Sequence, residues 1–162
     1  MGSTPGSGVG NDGPPLPSFT YTYNNANQRV RVVLADGSYR LYEYDSLGQV
    51  ISGERYWSDG KPVAGQQFEY SFDHIGNRTK TGTGGDANGW NLRTATYAAN
   101  VLNQYTIRTV PGCIDIIGIA LATKPVYVNN HVAYRGGEYL RKELSVNNNA
   151  APLLGTGDCD CH

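Results

Sequence analysis

The sequence predicts an all-β protein, an antiparallel β-hairpin ladder followed by a smaller β-rich segment. Three observations predict it. The pattern Asp/Asn-x-x-Gly/Asn-Gln/Asn recurs four times, its first residues falling at positions 24, 45, 73 and 100 and so lying 21, 28 and 27 apart. Recurrence at such a period is the signature of a repeat architecture. Polar and aromatic residues alternate with a period of two before several of these patterns, as half-buried strands require. Finally, the 162 residues include 21 Gly and 12 Tyr and show no long helical period, which suits turn-dense β structure.

Residues 1–18 are rich in Gly, Pro and Ser and read as a disordered lead-in. They lack the basic start and apolar core of a signal peptide. The ladder is expected over residues 19–105. Phe19-Thr20-Tyr21-Thr22-Tyr23 alternates and runs into the first turn, Asn24-Asn25-Ala26-Asn27. Asp or Asn at the first turn position accepts a hydrogen bond from the backbone two residues on. Gly or Asn at the fourth takes positive φ, as a type I turn followed by a bulge needs. Arg29-Val30-Arg31-Val32-Val33-Leu34 is the next strand, closed by Asp36-Gly37, a second kind of hairpin signal. Tyr39 to Tyr44 leads to the turn Asp45-Ser46-Leu47-Gly48, and Gln49 to Trp57 leads to Asp59-Gly60. Gln66 to Phe72 alternates again before Asp73-His74-Ile75-Gly76. Gly82 to Asn91 is expected to be a long flexible hairpin loop, since it lacks the complete ligand set of a calcium loop. The fourth turn is Asn100-Val101-Leu102-Asn103, left by Tyr105-Thr106-Ile107-Arg108.

Residues 106–146 read as a β-rich satellite, either a small insert or a continuation of the sheet. Its segments are the apolar run from Cys113, then Pro125 to Val128, His131 to Arg135, and Glu138 to Val146. Glu138–Leu144 would also suit one or two helical turns. Residues 147–162 read as a flexible tail.

Tyr44-Asp45-Ser46-Leu47-Gly48-Gln49-Val50 resembles the tyrosine-aspartate (YD) repeat of the bacterial Rhs proteins, to which teneurins and the cocoon-forming components of insecticidal toxin complexes are similar. Phe72-Asp73-His74-Ile75-Gly76-Asn77-Arg78 fits with Phe for Tyr. The copies at Tyr23-Asn24 and Ala99-Asn100 replace both Asp and Gly by Asn, and the last lacks the leading Tyr. The resemblance spans about residues 19–105. It implies a β-hairpin spiral that forms part of a hollow shell, secreted or on the cell surface. Four repeats are too few to enclose a cargo, so a wall segment of a larger shell or a short stand-alone relative is expected. The family's self-cleaving aspartyl site does not carry over, because no Asp-Pro-x-Gly stretch exists.

The expected role is therefore structural and non-enzymatic, resting on the turn formers Asn24, Asn27, Asp45, Gly48, Asp73, Gly76, Asn100 and Asn103. The expected partners are other protein chains or other parts of the shell. Isolated, the ladder would have open sheet edges that invite self-association or filament growth. The alternative is a carbohydrate-binding or adhesion module, with Tyr42, Tyr56 and Trp57 stacking the sugar rings of a cell-surface glycan. A net charge of −1 gives no electrostatic reason to expect nucleic acid, and no run reaches the length of a membrane span. No cofactor is expected. The aspartates already have a structural reason in the turns, and the three histidines are scattered. Cys159, Cys161 and His162 offer soft-metal ligands, but a closed zinc site needs four, and the one remaining Cys is Cys113. Three cysteines also exclude a complete intramolecular disulfide framework.

Overall fold

The computed structural model describes residues 18–110 and 112–147, and the backbone of 159–161. The lead-in up to residue 17, most of the tail and His162 lie outside the described residues. The chain is all-β. Eight strands form one antiparallel sheet in sequence order. They are β1 (Thr20–Tyr23), β2 (Arg29–Val33), β3 (Tyr39–Tyr44), β4 (Val50–Tyr56), β5 (Pro62–Phe72), β6 (Arg78–Gly84), β7 (Leu92–Ala99) and β8 (Tyr105–Arg108).

Each strand pairs with the next, so alternate turns fall on opposite edges of the sheet. Register fixes the two faces. One carries Arg40, Tyr42, Arg55, Phe68, Tyr70, Thr81, Arg93, Tyr97 and Arg108; the other carries Tyr39, Glu43, Glu54, Tyr56, Glu69 and Lys80. The ladder's carboxylates thus avoid the arginine face, apart from Asp36 at the sheet edge. Burial is sparse: the buried apolar side chains of the ladder are the small Val32, Val63, Ala64 and Ala95, beside the polar Ser38, Ser52, Gln67 and Thr81.

The remaining strands are β9 (Cys113–Ile119), β10 (Val126–Val128), β11 (His131–Val132), β12 (Tyr134–Gly136), β13 (Tyr139–Ser145) and β14 (Cys159–Cys161). They form two three-stranded sheets, ordered β12-β13-β9 and β11-β10-β14. The Glu138–Leu144 segment is therefore not helical: Glu138 lies in a turn and Tyr139–Ser145 is strand. The satellite is a separate pair of sheets rather than an extension of the ladder, because among the described residues no further strand lies beside β8. Val126, Val128, Ala133 and Leu140 make its core, with Ile116, Ala120 and Leu144 against it.

Two expectations need correction. The tail is not loose throughout, since Cys159–Cys161 pairs antiparallel with Val126–Val128 and gives β10 a second neighbour. The stretch from Gly82 to Asn91 is not a long loop. β6 continues to Gly84, and Asp86-Ala87-Asn88-Gly89 closes a tight turn.

Candidate functional site

All seven hairpins of the ladder share one turn geometry. The fourth residue's N–H donates to the first residue's carbonyl, and the first residue's N–H donates to the fifth residue's carbonyl. Asn27, Gly37, Gly48, Gly60, Gly76, Gly89 and Asn103 hold the fourth position, all at φ between 58° and 91°. Leu34 and Trp57 occupy the first position at the Asp36-Gly37 and Asp59-Gly60 hairpins, so these are not a separate two-residue type. What differs is the side chain that locks the loop. At those two turns the third residue does so, as Asp36 accepts from the Ser38 N–H at 2.9 Å and Asp59 from the Lys61 N–H at 3.0 Å.

The four repeat turns are locked from the first position and share one edge of the sheet. Asp45 Oδ1 accepts from Leu47 N at 2.9 Å and Gln49 N at 2.8 Å, while the Gln49 amide donates to Asp45 Oδ2 at 2.9 Å. Asp73 repeats this with Ile75 and Asn77. Where the first residue is Asn the side-chain bond reverses: Asn24 Nδ2 donates to Gln28 Oε1 at 2.7 Å, and Asn100 Nδ2 to Gln104 Oε1 at 3.1 Å. The fifth-position amide thus suits Asp and Asn equally. Burial opposes the Asp73 carboxylate, yet hydrogen bonds from Asn77 and Ile75 outweigh it and hold its pKa below the usual carboxylate value.

The fifth residue also reaches the next repeat. A Cβ added at Gly48 would stand 3.2 Å from Gln28 Nε2, and one at Gly76 would stand 3.4 Å from Gln49 Oε1. Asn77 Nδ2 donates to Asn103 Oδ1 at 3.3 Å. Gln28, Gln49 and Asn77 therefore form a rail of amides, each lying over the left-handed residue of the following repeat. Tyrosines stitch the same edge: the Tyr44 hydroxyl donates to the Arg29 carbonyl at 2.8 Å, and the Tyr105 hydroxyl accepts from the Arg78 N–H at 2.8 Å. The eight turn formers named from sequence all lie on this rail.

On the opposite edge of the sheet, Asp86 locks its turn from the first position in the same way, which the sequence conceals. It accepts from Asn88 N and Trp90 N, and its second oxygen takes the Asn91 amide at 2.7 Å, one place later than elsewhere. The Asn88 backbone bond leads in holding its carboxylate below the usual value. The absence of a preceding aromatic and the one-residue offset of the amide hide the repeat.

Tyr42, Tyr56 and Trp57 are not brought together. Tyr42 faces the arginine side of the sheet, whereas Tyr56 faces the other and stacks on Tyr39 at 5.5 Å. Burial, then the hydrogen bond to Glu54, push the Tyr56 phenol up to about 12. Trp57 packs edge-on against Tyr139 at 5.6 Å and so close to Gly136 that a Cβ there would stand 2.8 Å from the indole. The backbone of Cys159 and Cys161 lies in β14, and their side chains are outside the described residues.

A junction the sequence did not reveal joins satellite to ladder. Arg93 on β7 pairs with Asp115 on β9 and with Glu143 on β13, the latter at 2.9 Å. Arg141 closes the set, its Nε donating to Asp115 at 2.7 Å and its Nη2 to Glu143 at 2.5 Å. The Asp115 hydrogen bond raises the Arg93 pKa further, against the cost of burial. The Tyr139 hydroxyl donates to the Ala64 carbonyl at 2.5 Å. Two cations and two anions close on one another here, which suits a structural clasp. Sequence spacing gave no hint, because Arg93 and Glu143 are 50 residues apart.

No known family and no curated protein matches the sequence. In fold, the chain is similar to a chain in the crystal structure of TcdB2-TccC3-Cdc42, with a TM-score of 0.51 and 16% sequence identity. The match covers 86% of this chain and 7% of that one, so a ladder of this kind is a small segment of a much longer polypeptide there.

Proposed function

We propose that this chain is a non-enzymatic wall segment of a YD-repeat shell, secreted or on the cell surface, with other protein chains or other parts of the shell as its partners. The amide rail is the observation that carries this reading. It locks successive repeats to one another through main-chain groups and amides, and it leaves each terminal strand ready for another. β1 and β8 each have one ladder neighbour among the described residues, and Tyr21, Tyr23, Tyr105 and Ile107 on them are exposed. An edge strand with exposed aromatics is a template for further pairing. The fold likeness to a segment of a far longer chain is compatible with this role. The scattering of Tyr42, Tyr56 and Trp57 gives the sugar-stacking alternative no common platform.

Size-exclusion chromatography with light scattering on the full chain tests the open edges. A mass rising with concentration is expected, with Tyr21→Lys and Ile107→Lys shifting the population toward monomer. A single monomeric mass at millimolar concentration would count against the proposal.

A further inference from the structure

We propose that the arginine face of the ladder carries an oxyanion-binding hollow, fitted to a carboxylate, sulfate or phosphate on a ligand about the size of one sugar ring. The hollow lies over β5–β8 and encloses about 340 Å³, at the low end of the range of small-molecule sites. Its working residues are Tyr70, Arg78, Thr81, Tyr97 and Arg108, with Arg93 at the rim toward the clasp.

Register builds it. Tyr70 pairs with Thr81 and Thr81 with Ala95, while Tyr97 pairs with Arg108 on the same face. The bulge at Ser71/Phe72 shifts the alternation of β6 and brings Arg78 onto this face as well.

The charge there is one-sided. No carboxylate lines the hollow, and Arg93 alone among its arginines forms ion pairs among the described residues. Arg78 lies 4.9 Å from the Tyr70 ring centre and Arg108 lies 5.6 Å from that of Tyr97. Those ring contacts orient the guanidiniums without neutralising them. The Arg78 Nε is buried and meets no hydrogen-bond acceptor. A buried charged donor without an acceptor is costly, and an oxyanion held against the open side of the same guanidinium would offset its charge. A hydrogen bond with Thr81 leads in lowering the Tyr97 phenol pKa, with Arg108 and Arg78 adding to it. Guanidinium forks suit planar carboxylates and tetrahedral oxyanions alike. The ring faces of Tyr70 and Tyr97 are already taken by arginine, which makes the ligand's anionic group, rather than ring stacking, the recognised feature.

This inference does not depend on the wall-segment reading, since the hollow is complete within one chain. The test is an amide NMR titration of the full chain with sulfate, glucuronate and glucose, each up to roughly 100 mM, a range that captures weak sites. Saturable shifts confined to Arg78, Thr81, Tyr97 and Arg108 are expected with the two anions and not with glucose. Tighter sulfate would assign a tetrahedral oxyanion, and tighter glucuronate a sugar acid; either supports the site. Arg78→Gln and Arg108→Gln should each weaken binding by about tenfold, in keeping with loss of a charge-assisted hydrogen bond. Arg31→Gln, on the opposite face, should leave it unchanged. Arg108 is exposed at the sheet edge, so its variant reports even where Arg78→Gln fails to fold. Absence of saturation with both anions would overturn the proposal. So would binding undiminished in Arg108→Gln, or weakened equally by Arg31→Gln.

Discussion

At the scale of single residues, two positions decide each repeat turn. The fourth residue needs positive φ, and this chain uses both Gly and Asn there, Gly48 at 82° and Asn27 at 58°. Gly48→Asn should therefore keep the turn's positive φ and cost less than Ala, although its Cβ would still press on the Gln28 amide. Gly48→Ala should lower stability by about 1–2 kcal/mol, combining left-handed strain with the crowding of Gln28. Chemical denaturation of both variants checks this. The first residue needs an oxygen. Asp73→Asn should fold, because Asn24 and Asn100 already serve natively. Asp73→Ala should cost about 1 kcal/mol or more, as loss of a comparable side-chain cap does. The sign of the acid dependence follows from the same group. Its folded pKa is depressed, so its contribution is present above the ordinary carboxylate value and is lost as pH falls through the lower folded value. Asp36, Asp59 and Asp86 are shifted the same way. Thermal melts should be flat from neutrality down to about pH 5 and should fall below roughly pH 4. Asp73→Asn should flatten part of that fall. The turn chemistry was legible in sequence because it is local: donor and acceptor lie within four residues of each other.

At the scale of elements, legibility declined as partners grew more distant. The strands from Thr20 to Phe72 could be read from alternation and turn signals. The Asp86 hairpin could not, because Trp90 holds the place of the expected amide and Asn91 supplies it instead. Gly-rich composition around it read as looseness, whereas Gly85 and Gly89 serve close packing. Cβ atoms there would meet Gln67 at 3.1 Å and Pro62 at 3.2 Å. The clasp was invisible for a different reason: nothing local distinguishes Arg93, Asp115, Arg141 and Glu143 from solvated charges. Burial makes them consequential, with Arg93, Asp115 and Arg141 side chains 16%, 12% and 10% exposed. Removing one member leaves a mostly buried charge without its counterpart. Asp115→Asn should destabilise the chain by about 3 kcal/mol and loosen β9 and β13 first. Hydrogen exchange resolved by residue should show those strands losing protection ahead of β3–β6. Trp57→Ala should produce the same ordering through lost contact with Gly136 and Tyr139.

At the scale of the whole molecule, the ladder is a single layer with little core of its own. Its stability rests on hairpin locks, repeat-to-repeat amides and the satellite clasp rather than on a thick apolar interior. Exposed Leu47, Ile75 and Leu102, the third residues of successive repeat turns, line the rail edge with apolar side chains. Contiguous apolar rows of this kind are uncommon on isolated monomers. Replacing all three by Ser should raise the concentration at which light scattering detects association while leaving the melt of the monomer largely intact. The sequence-level reading anticipated the all-β ladder because a repeat multiplies a local signal. It did not anticipate that the strands beyond Arg108 would fold back against the middle of the sheet, a consequence of contacts such as Tyr139 with Ala64 that span 75 residues.

The repeat turns stand in constant relation to one another although the sequence between them varies from 21 to 28 positions. Strand length is therefore absorbed at the opposite margin of the sheet, where the Asp36, Asp59 and Asp86 hairpins stand clear of the amide rail. Residues inserted in matched pairs beside those hairpins would keep both the inside-outside alternation and the spacing along the rail. Such a chain can widen on one side without being re-tuned on the other, so that a ladder of this design gains breadth by small independent edits.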